Sequence, residues 1–273
     1  MHLMYMVHEL ISLQNYYLSL LLVIAAGVLV CALFSISGSK DSEPPPTLFV
    51  APEPSPSAAG TPSPAPPKVI YLTFDDGPYE NTERLLGILD KYGVKATFFV
   101  TCDYEDYTWL IGEEHKRGHA VGIHAYKHKY AKIYQNEASF IESIEKMQEV
   151  VREQTGEEVF LYRFPGGSSN QVSNGMMPEL VELVAENSLI YFDWDVDGHD
   201  ATDAKDKETV LNYLKSGLED CKEYSVVLCH DLYPYTVDAM EDFIPWALEN
   251  GFVFDKLSAD APEVHHRLAE VEQ

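Results

Sequence analysis

From residue 68 onward, short apolar runs alternate with longer segments in which apolar residues recur every three or four positions. The short runs predict strands and the longer segments predict helices, an alternation typical of parallel βα units. Helices are expected between the strands, most clearly at residues 136–155 and 177–186. Seven strands are predicted, at residues 69–74, 96–101, 120–124, 161–164, 189–194, 226–229 and 252–255. The prediction is an α/β fold with about seven βα units, a smaller or incomplete barrel, because an eight-unit barrel needs roughly 250 residues.

The first 40 residues contain an uncharged apolar stretch from Leu18 to Phe34. A bilayer is crossed by about 20 apolar residues, whereas the apolar core of a signal peptide has about 7–15. Residues 1–40 are therefore predicted to be a membrane anchor or a signal segment, and the length of the apolar stretch favours a retained single-pass anchor.

Residues 41–67 are rich in proline, which is incompatible with a helix or a central strand. They are predicted to be a disordered, semi-rigid linker with polyproline II character. The globular domain is predicted at residues 68–260, followed by a C-terminal tail at residues 261–273.

The net charge of the 273-residue chain is −25, and nearly all of it arises after residue 40. Nucleic-acid binding is disfavoured, because neutralising phosphates requires clustered Lys and Arg. No protein partner is predicted. Of the four cysteines, Cys31 lies in the apolar segment, and the wide spacing of Cys102, Cys221 and Cys229 does not suggest a metal cluster. One disulfide and a buried free thiol, notably at Cys229, are both compatible with the sequence.

Polar residues follow or end most of the predicted strands. In parallel βα folds the carboxyl ends of the strands share one face, where functional loops gather. The residues in these positions are Asp75, Asp76, His124, Arg163, Asp195, Asp197 and His230.

The segment "TFDDGP" places Asp75 and Asp76 side by side after the first strand. A turn explains one aspartate, since Asp and Gly favour tight turns. Neighbouring strand residues point to opposite sides, so the two carboxylates are expected to have separate roles.

The segment "HAYKH" places His124 and His128 four residues apart after the third strand. Together with Asp76 they provide two imidazoles and one carboxylate, a set that leaves open positions on Zn²⁺ and is typical of catalytic sites. His115 and His119 have the same spacing, but His115 falls on a helix that leads to the opposite end of the strands. These two histidines are predicted to be structural or solvent-exposed.

Five segments in order, "TFDDGP", "HAYKH", "RFPGG", "DWDVDGHDA" and "LCH", resemble the motifs of the polysaccharide deacetylase family, carbohydrate esterase family four, also called the NodB homology domain. The resemblance covers about residues 68 to 257. It implies a distorted barrel of seven βα units, hydrolysis of acetyl groups on sugars, and one divalent metal ion. Zn²⁺ is the first expectation, with Co, Mn or Ni as alternatives.

The resemblance also implies individual roles. Asp76, His124 and His128 would hold the metal. Asp75 would be the general base that takes a proton from the attacking water, and Arg163 would pair with Asp75 and orient it.

The backbone N–H of Gly166 would stabilise the oxyanion, and His230 would protonate the departing sugar amine. Asp200 would be the partner of His230 and would favour its charged form.

Three positions depart from the family pattern. Ala125 stands where Ser or Thr is usual, Lys129 replaces a frequent Pro, and Ala201 stands where Trp is common. The residues considered as replacements for that Trp are Trp194, Tyr191 and Tyr233, although aromatic residues here also suit the core.

The expected function is metal-dependent removal of N-acetyl groups from N-acetylglucosamine in cell-envelope polysaccharide, with peptidoglycan as the first candidate. The expected location is the cell membrane, with the domain on the extracytoplasmic side, and the expected partners are the acetylated polysaccharide and the membrane. Alternatives are deacetylation of a chitin-like oligomer, an exopolysaccharide or xylan, and glycan binding without catalysis.

Overall fold

The computed structural model describes residues 67–268. The predicted anchor or signal segment, residues 41–66 of the predicted linker and residues 269–273 of the predicted tail lie outside the described residues. Between residues 67 and 268, no helix has the length and apolar character needed to cross a bilayer. The anchor and the membrane location therefore stay predictions.

The described residues form one sheet of eight parallel strands. In chain order these are β1 (Lys68–Asp75), β2 (Thr97–Thr101), β3 (Ala120–Ala125), β4 (Leu161–Tyr162), β5 (Ile190–Tyr191), β6 (Val196–Asp197), β7 (Tyr224–His230) and β8 (Phe252–Asp255). Their order across the sheet is β5-β4-β3-β2-β1-β7-β6, and β8 pairs with β1. No ladder joins β5 to β6 within residues 67–268, so the sheet is a curled half-barrel rather than a closed barrel.

Strand β1 lies at the centre of the sheet, and its apolar residues Ile70, Leu72 and Phe74 are fully buried. One edge of β1 pairs with β7 from Val69 to Asp75, whereas the other edge pairs first with β8 and then with β2. The register places Asp75 beside His230 of β7. The central strand and its neighbour therefore end together at the same edge of the sheet.

Helices fill most of the connections. They are α1 (Thr82–Tyr92), α2 (Leu110–Lys116), α3 (Tyr130–Ile133), α4 (Glu137–Thr155), α5 (Met177–Glu186), α6 (Lys207–Gly217) and α7 (Pro234–Glu249). The two clearest predicted helices are confirmed as α4 and α5. Helix α4 begins after Asn136, whose side chain accepts a hydrogen bond from Ser139 N, and ends before Gly156, whose φ is 78°. These are the expected amino-terminal and carboxyl-terminal capping residues.

The two faces of the sheet pack differently. Neighbouring strand residues point to opposite faces, so Phe98 joins the large core beneath the helices and Phe99 joins a smaller core on the other face. The smaller core is completed by Leu257 and Ala261, which come after the last strand. The chain end therefore covers part of the face that the helices leave open.

The predicted fifth strand at residues 189–194 is only partly right. Two short strands, β5 and β6, replace it, and they lie at opposite ends of the sheet order with no helix between them. The reason is local hydrogen bonding, because Asp193 N donates to Val264 O and Asp195 N donates to Val226 O. The backbone there changes partners instead of continuing along β4.

Residues 261–268 bond to the domain, although the sequence analysis assigned them to a tail. Val264 accepts a hydrogen bond from Asp193 N, and the N–H of His266 donates to Asp193 Oδ2 at 2.8 Å. His265 stacks on Tyr191 with ring centroids 3.9 Å apart. These contacts join residues 264–266 to the segment around β5.

Candidate active site

The predicted site residues meet at the carboxyl ends of neighbouring strands. Asp75 ends β1, His230 ends β7, His124 lies near the end of β3, and Arg163 follows β4. These strands lie close together in the sheet order β4-β3-β2-β1-β7. Parallel pairing thus brings together residues that are far apart in the sequence.

Asp76, His124 and His128 form a cluster of three possible metal ligands, whose ligand atoms all lie within 4.8 Å of one another. Asp76 Oδ1 is 3.3 Å from His124 Nε2 and 3.6 Å from His128 Nε2. The loop that carries His128 is fixed by a hydrogen bond from His128 N to Asp103 Oδ2 at 3.0 Å.

The chemistry of this cluster fits a divalent cation. His124 Nδ1 lies 2.9 Å from the Arg163 carbonyl oxygen, which can only accept, so Nδ1 carries a proton, and in the neutral imidazole Nε2 presents a lone pair. That lone pair faces Asp76 Oδ1, a buried oxygen without a hydrogen-bond partner in the described residues. An unprotonated Nε2 and an ionised Oδ1 repel each other unless a proton or a metal cation lies between them. Two imidazoles and one carboxylate suit Zn²⁺ and leave further coordination positions open.

The expectation that the two adjacent aspartates point to opposite sides is wrong. Asp76 has a φ of 71°, in the left-handed region, and this turns its carboxylate toward the same imidazole that Asp75 faces. His124 Nε2 lies 3.9 Å from Asp75 Oδ2 and 3.3 Å from Asp76 Oδ1. Their partners still differ, because Asp75 binds a guanidinium and Asp76 does not.

Arg163 is completely buried and uses its guanidinium to hold Asp75. Its Nη1 donates to Asp75 Oδ1 at 2.9 Å and to Thr73 Oγ1 at 2.6 Å. Its Nε and Nη2 donate to backbone carbonyls of residues 192 and 193, and the ring of Phe99 lies 4.2 Å from its Cζ. A buried charge with this many partners is firmly positioned. The second oxygen of Asp75 therefore points toward the cluster of candidate metal ligands.

His230 is held by Asp200 on the other side of the cluster. His230 Nδ1 is 2.8 Å from Asp200 Oδ1, and Asp200 Oδ2 accepts hydrogen bonds from His230 N and from Thr236 Oγ1. The opposite ring nitrogen, Nε2, lies 3.9 Å from Asp76 Oδ2. Burial opposes the charged imidazole, but the charges of Asp200, Asp76 and Asp75 raise the pKa of His230 to about 10. The charged form of His230 therefore presents its Nε2–H toward Asp76 of the cluster.

The loop containing Gly166 lies beside the cluster and has left-handed backbone at Gly166 (φ 78°) and Gly167 (φ 76°). A Cβ at Gly166 would lie 3.2 Å from the hydroxyl of Tyr130, whose ring packs edge-on against His128. The N–H of Gly166 has no acceptor within residues 67–268. Asp193 fixes the loop by accepting hydrogen bonds from the N–H and hydroxyl of Ser168.

The neighbouring imidazoles favour the ionised form of Asp76. Burial opposes ionisation of Asp76, but the imidazoles of His124, His230 and His128 outweigh it and hold the pKa of Asp76 below its ordinary value. Burial also opposes a charge on His124, and there the carboxylates of Asp75 and Asp76 raise its pKa. Burial and the charge of His124 lower the pKa of His128. Ionised Asp76 beside His128, the imidazole whose pKa is lowered, favours a bound cation.

Four polar residues from the sequence analysis lie outside the cluster. Asp195 and Asp197 bind backbone N–H groups, those of Val226 at 2.6 Å and of His199 at 2.7 Å. His119 is buried, accepts a hydrogen bond from Ala96 N, and has a pKa lowered to about 4 by burial and by the charge of Lys95. His115 is half-buried, 3.8 Å from Glu157. Both histidines fit the structural or solvent-exposed role that was predicted.

The remaining sequence alternatives are resolved for the described cysteines and aromatics. Cys102, Cys221 and Cys229 are buried free thiols, and no disulfide joins them. Tyr233 has its ring centroid 6.2 Å from that of His230, whereas Tyr191 and Trp194 pack against the histidines at the chain end. Two of the three aromatics therefore lie against predicted catalytic groups, Tyr233 beside His230 and Trp194 with its ring centroid 5.6 Å from Arg163 Cζ.

The sequence analysis missed three residues at the site. Thr73 accepts from Arg163 and donates to Val227 O, Tyr130 packs on His128, and Asp231 accepts a hydrogen bond from Thr82 beside Gly77. A hydroxyl within the apolar run of β1 was a usable signal for Thr73. The other two positions depend on loop geometry.

Comparison with known proteins agrees with this geometry. The sequence profile described as "Polysaccharide deacetylase" matches residues 63–180. A peptidoglycan-N-acetylglucosamine deacetylase from Bacillus cereus is 31% identical over 195 residues, which cover 69% of this chain and 68% of the relative.

Two solved structures are also similar. The catalytic domain of peptidoglycan N-acetylglucosamine deacetylase from Eubacterium rectale has 44% identity and a TM-score of 0.73, covering 78% of this chain and 99% of that one. A polysaccharide deacetylase from Bacillus cereus has 28% identity and a TM-score of 0.63, covering 74% of this chain and 96% of that one. On its sequence matches and its fold, this chain belongs to the polysaccharide deacetylase family.

Proposed function

We propose that this polysaccharide deacetylase removes the N-acetyl group from N-acetylglucosamine in peptidoglycan, with one divalent ion held by Asp76, His124 and His128. The observation that carries the proposal is the convergence of three ion ligands between a held carboxylate and a held imidazole. Similarity to two proteins named as deacetylases of this substrate supports the choice of glycan.

In this proposal Asp75 acts as the general base. A divalent ion, when bound, polarises the acetyl carbonyl and increases the acidity of the attacking water. Arg163 occupies Asp75 Oδ1, so Oδ2 is the oxygen that takes the proton from the water. A residue that must accept a proton and later release it gains from this fixed orientation.

In this proposal His230 acts as the general acid. Asp200 accepts the hydrogen bond of Nδ1–H, so the proton on Nε2 faces the reacting group. The Nε2 proton passes to the amine nitrogen as the carbon–nitrogen bond breaks, giving acetate and a free sugar amine. The free N–H of Gly166 would donate to the acetyl oxygen as it gains negative charge.

The location is part of the same proposal. A retained anchor followed by a proline-rich linker would keep the domain near its own envelope, outside the cytoplasm. A linker of 27 residues in polyproline II form would reach on the order of 80 Å at about 3.1 Å per residue. That reach suits a polymer outside the membrane better than a soluble, diffusing substrate.

Acetate release from defined glycans tests the proposal. The substrates are peptidoglycan fragments, N-acetylglucosamine oligomers and O-acetylated xylan, and the catalytic control is Asp75→Asn. We expect release from the first two substrates by the parent chain and loss of release in the variant. Release from xylan alone would identify an O-deacetylase, and binding to glycan without any release would identify a non-catalytic wall protein.

A further inference from the structure

A cavity of about 410 Å³ adjoins the loop that carries His128, and it is unusually basic for this chain. The protein has 19 Lys and Arg residues and a net charge of −25. Four of its lysines nevertheless line this one cavity, namely Lys127, Lys129, Lys132 and Lys146. The cavity is therefore a local positive region on an acidic protein.

Two of these lysines are already paired. Lys127 Nζ lies 2.9 Å from Glu105 Oε1, and Lys146 Nζ lies 2.7 Å from Glu142 Oε1. Lys129 and Lys132 are exposed and form no ion pair with any residue between 67 and 268. Their two charges give the cavity its capacity to bind an anion.

The cavity and the cluster of candidate metal ligands share one loop. Lys127 and Lys129 are the immediate sequence neighbours of His128, and consecutive Cα atoms are about 3.8 Å apart. The ring of Tyr130 packs on His128 with centroids 5.0 Å apart, and Tyr130 begins helix α3, which contains Lys132. One loop therefore carries both His128 of the ligand cluster and two lysines of the cavity, although His128 itself does not line the cavity.

We propose that Lys129 and Lys132 bind a carboxylate of the glycan next to the sugar that is deacetylated. This inference rests on the proposed function, since in peptidoglycan the sugar that alternates with N-acetylglucosamine carries a lactyl group whose carboxylate is free or extended by a peptide. In the free form the anion is the lactyl carboxylate itself, whereas in the extended form that group is a neutral amide and the anions are the carboxylates of the peptide. Lys129 also stands where the family often has Pro, so this charge is a feature of this chain and not of the shared motif.

The test compares kcat/KM for acetate release by the full chain on two tetrasaccharides. One is neutral and contains only N-acetylglucosamine, and the other alternates N-acetylglucosamine with the lactyl-bearing sugar, in free-carboxylate and peptide-extended forms. We expect Lys132→Glu to lower the acidic-to-neutral ratio of kcat/KM about tenfold through KM, and Lys129→Ala/Lys132→Ala to lower it as well. The parent ratio should fall as salt is added, because exposed charges are screened.

Lys222→Glu is the matched control. Lys222 is exposed, lies before the amino end of β7, and undergoes the same change of charge, so it reports any effect of net charge alone. Its ratio should equal that of the parent. If Lys132→Glu does not fold, Lys132→Gln provides the same comparison with a smaller expected effect.

Three outcomes overturn the inference. Equal ratios in the Lys132 and Lys222 variants would show that the cavity does not contact the substrate, while the proposed function would stand. Inhibition of the parent by polyphosphate that is lost in Lys132→Glu, with an unchanged ratio, would assign the cavity to a phosphate polymer instead. No release from either tetrasaccharide, with release from another acetylated glycan, would overturn the proposed function and this inference with it.

Discussion

Asp231 has a buried carboxylate whose ionisation should weaken the fold as the pH rises. Its Oδ2 accepts a hydrogen bond from Thr82, whereas its Oδ1 is buried without a partner in the described residues. Burial raises the pKa of Asp231 from 3.8 to about 7. The charge of Asp76 also raises this pKa, whereas the hydrogen bond from Thr82 lowers it. Burial and the charge of Asp231 likewise raise the pKa of Glu114.

The size of the effect follows from the two pKa values of Asp231. Between pH 3.8 and about 7 the folded state binds more protons than the unfolded state, so stability falls as the pH rises through this range and is constant above it. Each unit of pKa difference corresponds to 1.36 kcal/mol, so the loss reaches about 4 kcal/mol above pH 7. Asp231→Asn removes the ionisable group and should abolish this pH-dependent loss. An unpaired amide in the variant could cost about 1–3 kcal/mol, but that cost does not depend on pH.

The measurement is urea unfolding of a chain starting at Ser63, at pH values from 4 to 8, with chelator present so that metal loading does not contribute. The free energy of unfolding of Asp231→Asn minus that of the parent should rise by up to about 4 kcal/mol between pH 4 and pH 8. Asp220→Asn removes the same charge at an exposed position and should give a difference that is constant with pH. A constant difference for Asp231→Asn as well, or one that falls with pH, would refute the reasoning.

Three further predictions concern the site, the core and the domain boundary. Asp76→Ala should lose bound metal, whereas Asp75→Asn should keep it and still lose acetate release; equal metal loss by elemental analysis would contradict the separate roles. Gly122→Ala should destabilise the fold by about 1–3 kcal/mol in urea, because its Cβ would lie 2.6 Å from Phe99 Cδ1. Gly87→Ala, in helix α1 with open space around the added methyl group, should be neutral or stabilising, and an equal loss in both variants would contradict the overpacking argument. Residues 68–273 alone should release acetate from soluble oligosaccharides at the full-length rate; a slower rate would make the linker part of the catalytic fold.

The positions of the site residues at the strand ends could be predicted. That prediction needs only the apolar pattern of each strand and the polar residue that follows it, because parallel strands end at one edge of the sheet. Asp75, His124 and His230 were found in this way, and each lies at or near the end of its strand. The direction of Asp76 could not be predicted, because it depends on one backbone angle, a φ of 71°, that no hydrophobic pattern encodes. The alternation rule holds inside a strand and fails at the first residue beyond it.

The same limit applies to aspartates near strand ends, which differ in the groups that they bind. Asp75 and Asp195 both lie beside apolar strand residues, so the apolar pattern alone does not distinguish them, and only the resemblance of the TFDDGP segment gave Asp75 a catalytic role. Their hydrogen-bond partners distinguish them, because Asp75 is held by a buried guanidinium, whereas Asp195 binds the N–H of Val226 on a neighbouring strand. Asp195 uses its Oδ1 to satisfy a backbone donor. Asp75 is held by Arg163 through Oδ1, which leaves its Oδ2 facing His124. Strand pairing decides which backbone donors lack a partner, so the physical reason that distinguishes these two carboxylates becomes visible only in the assembled sheet.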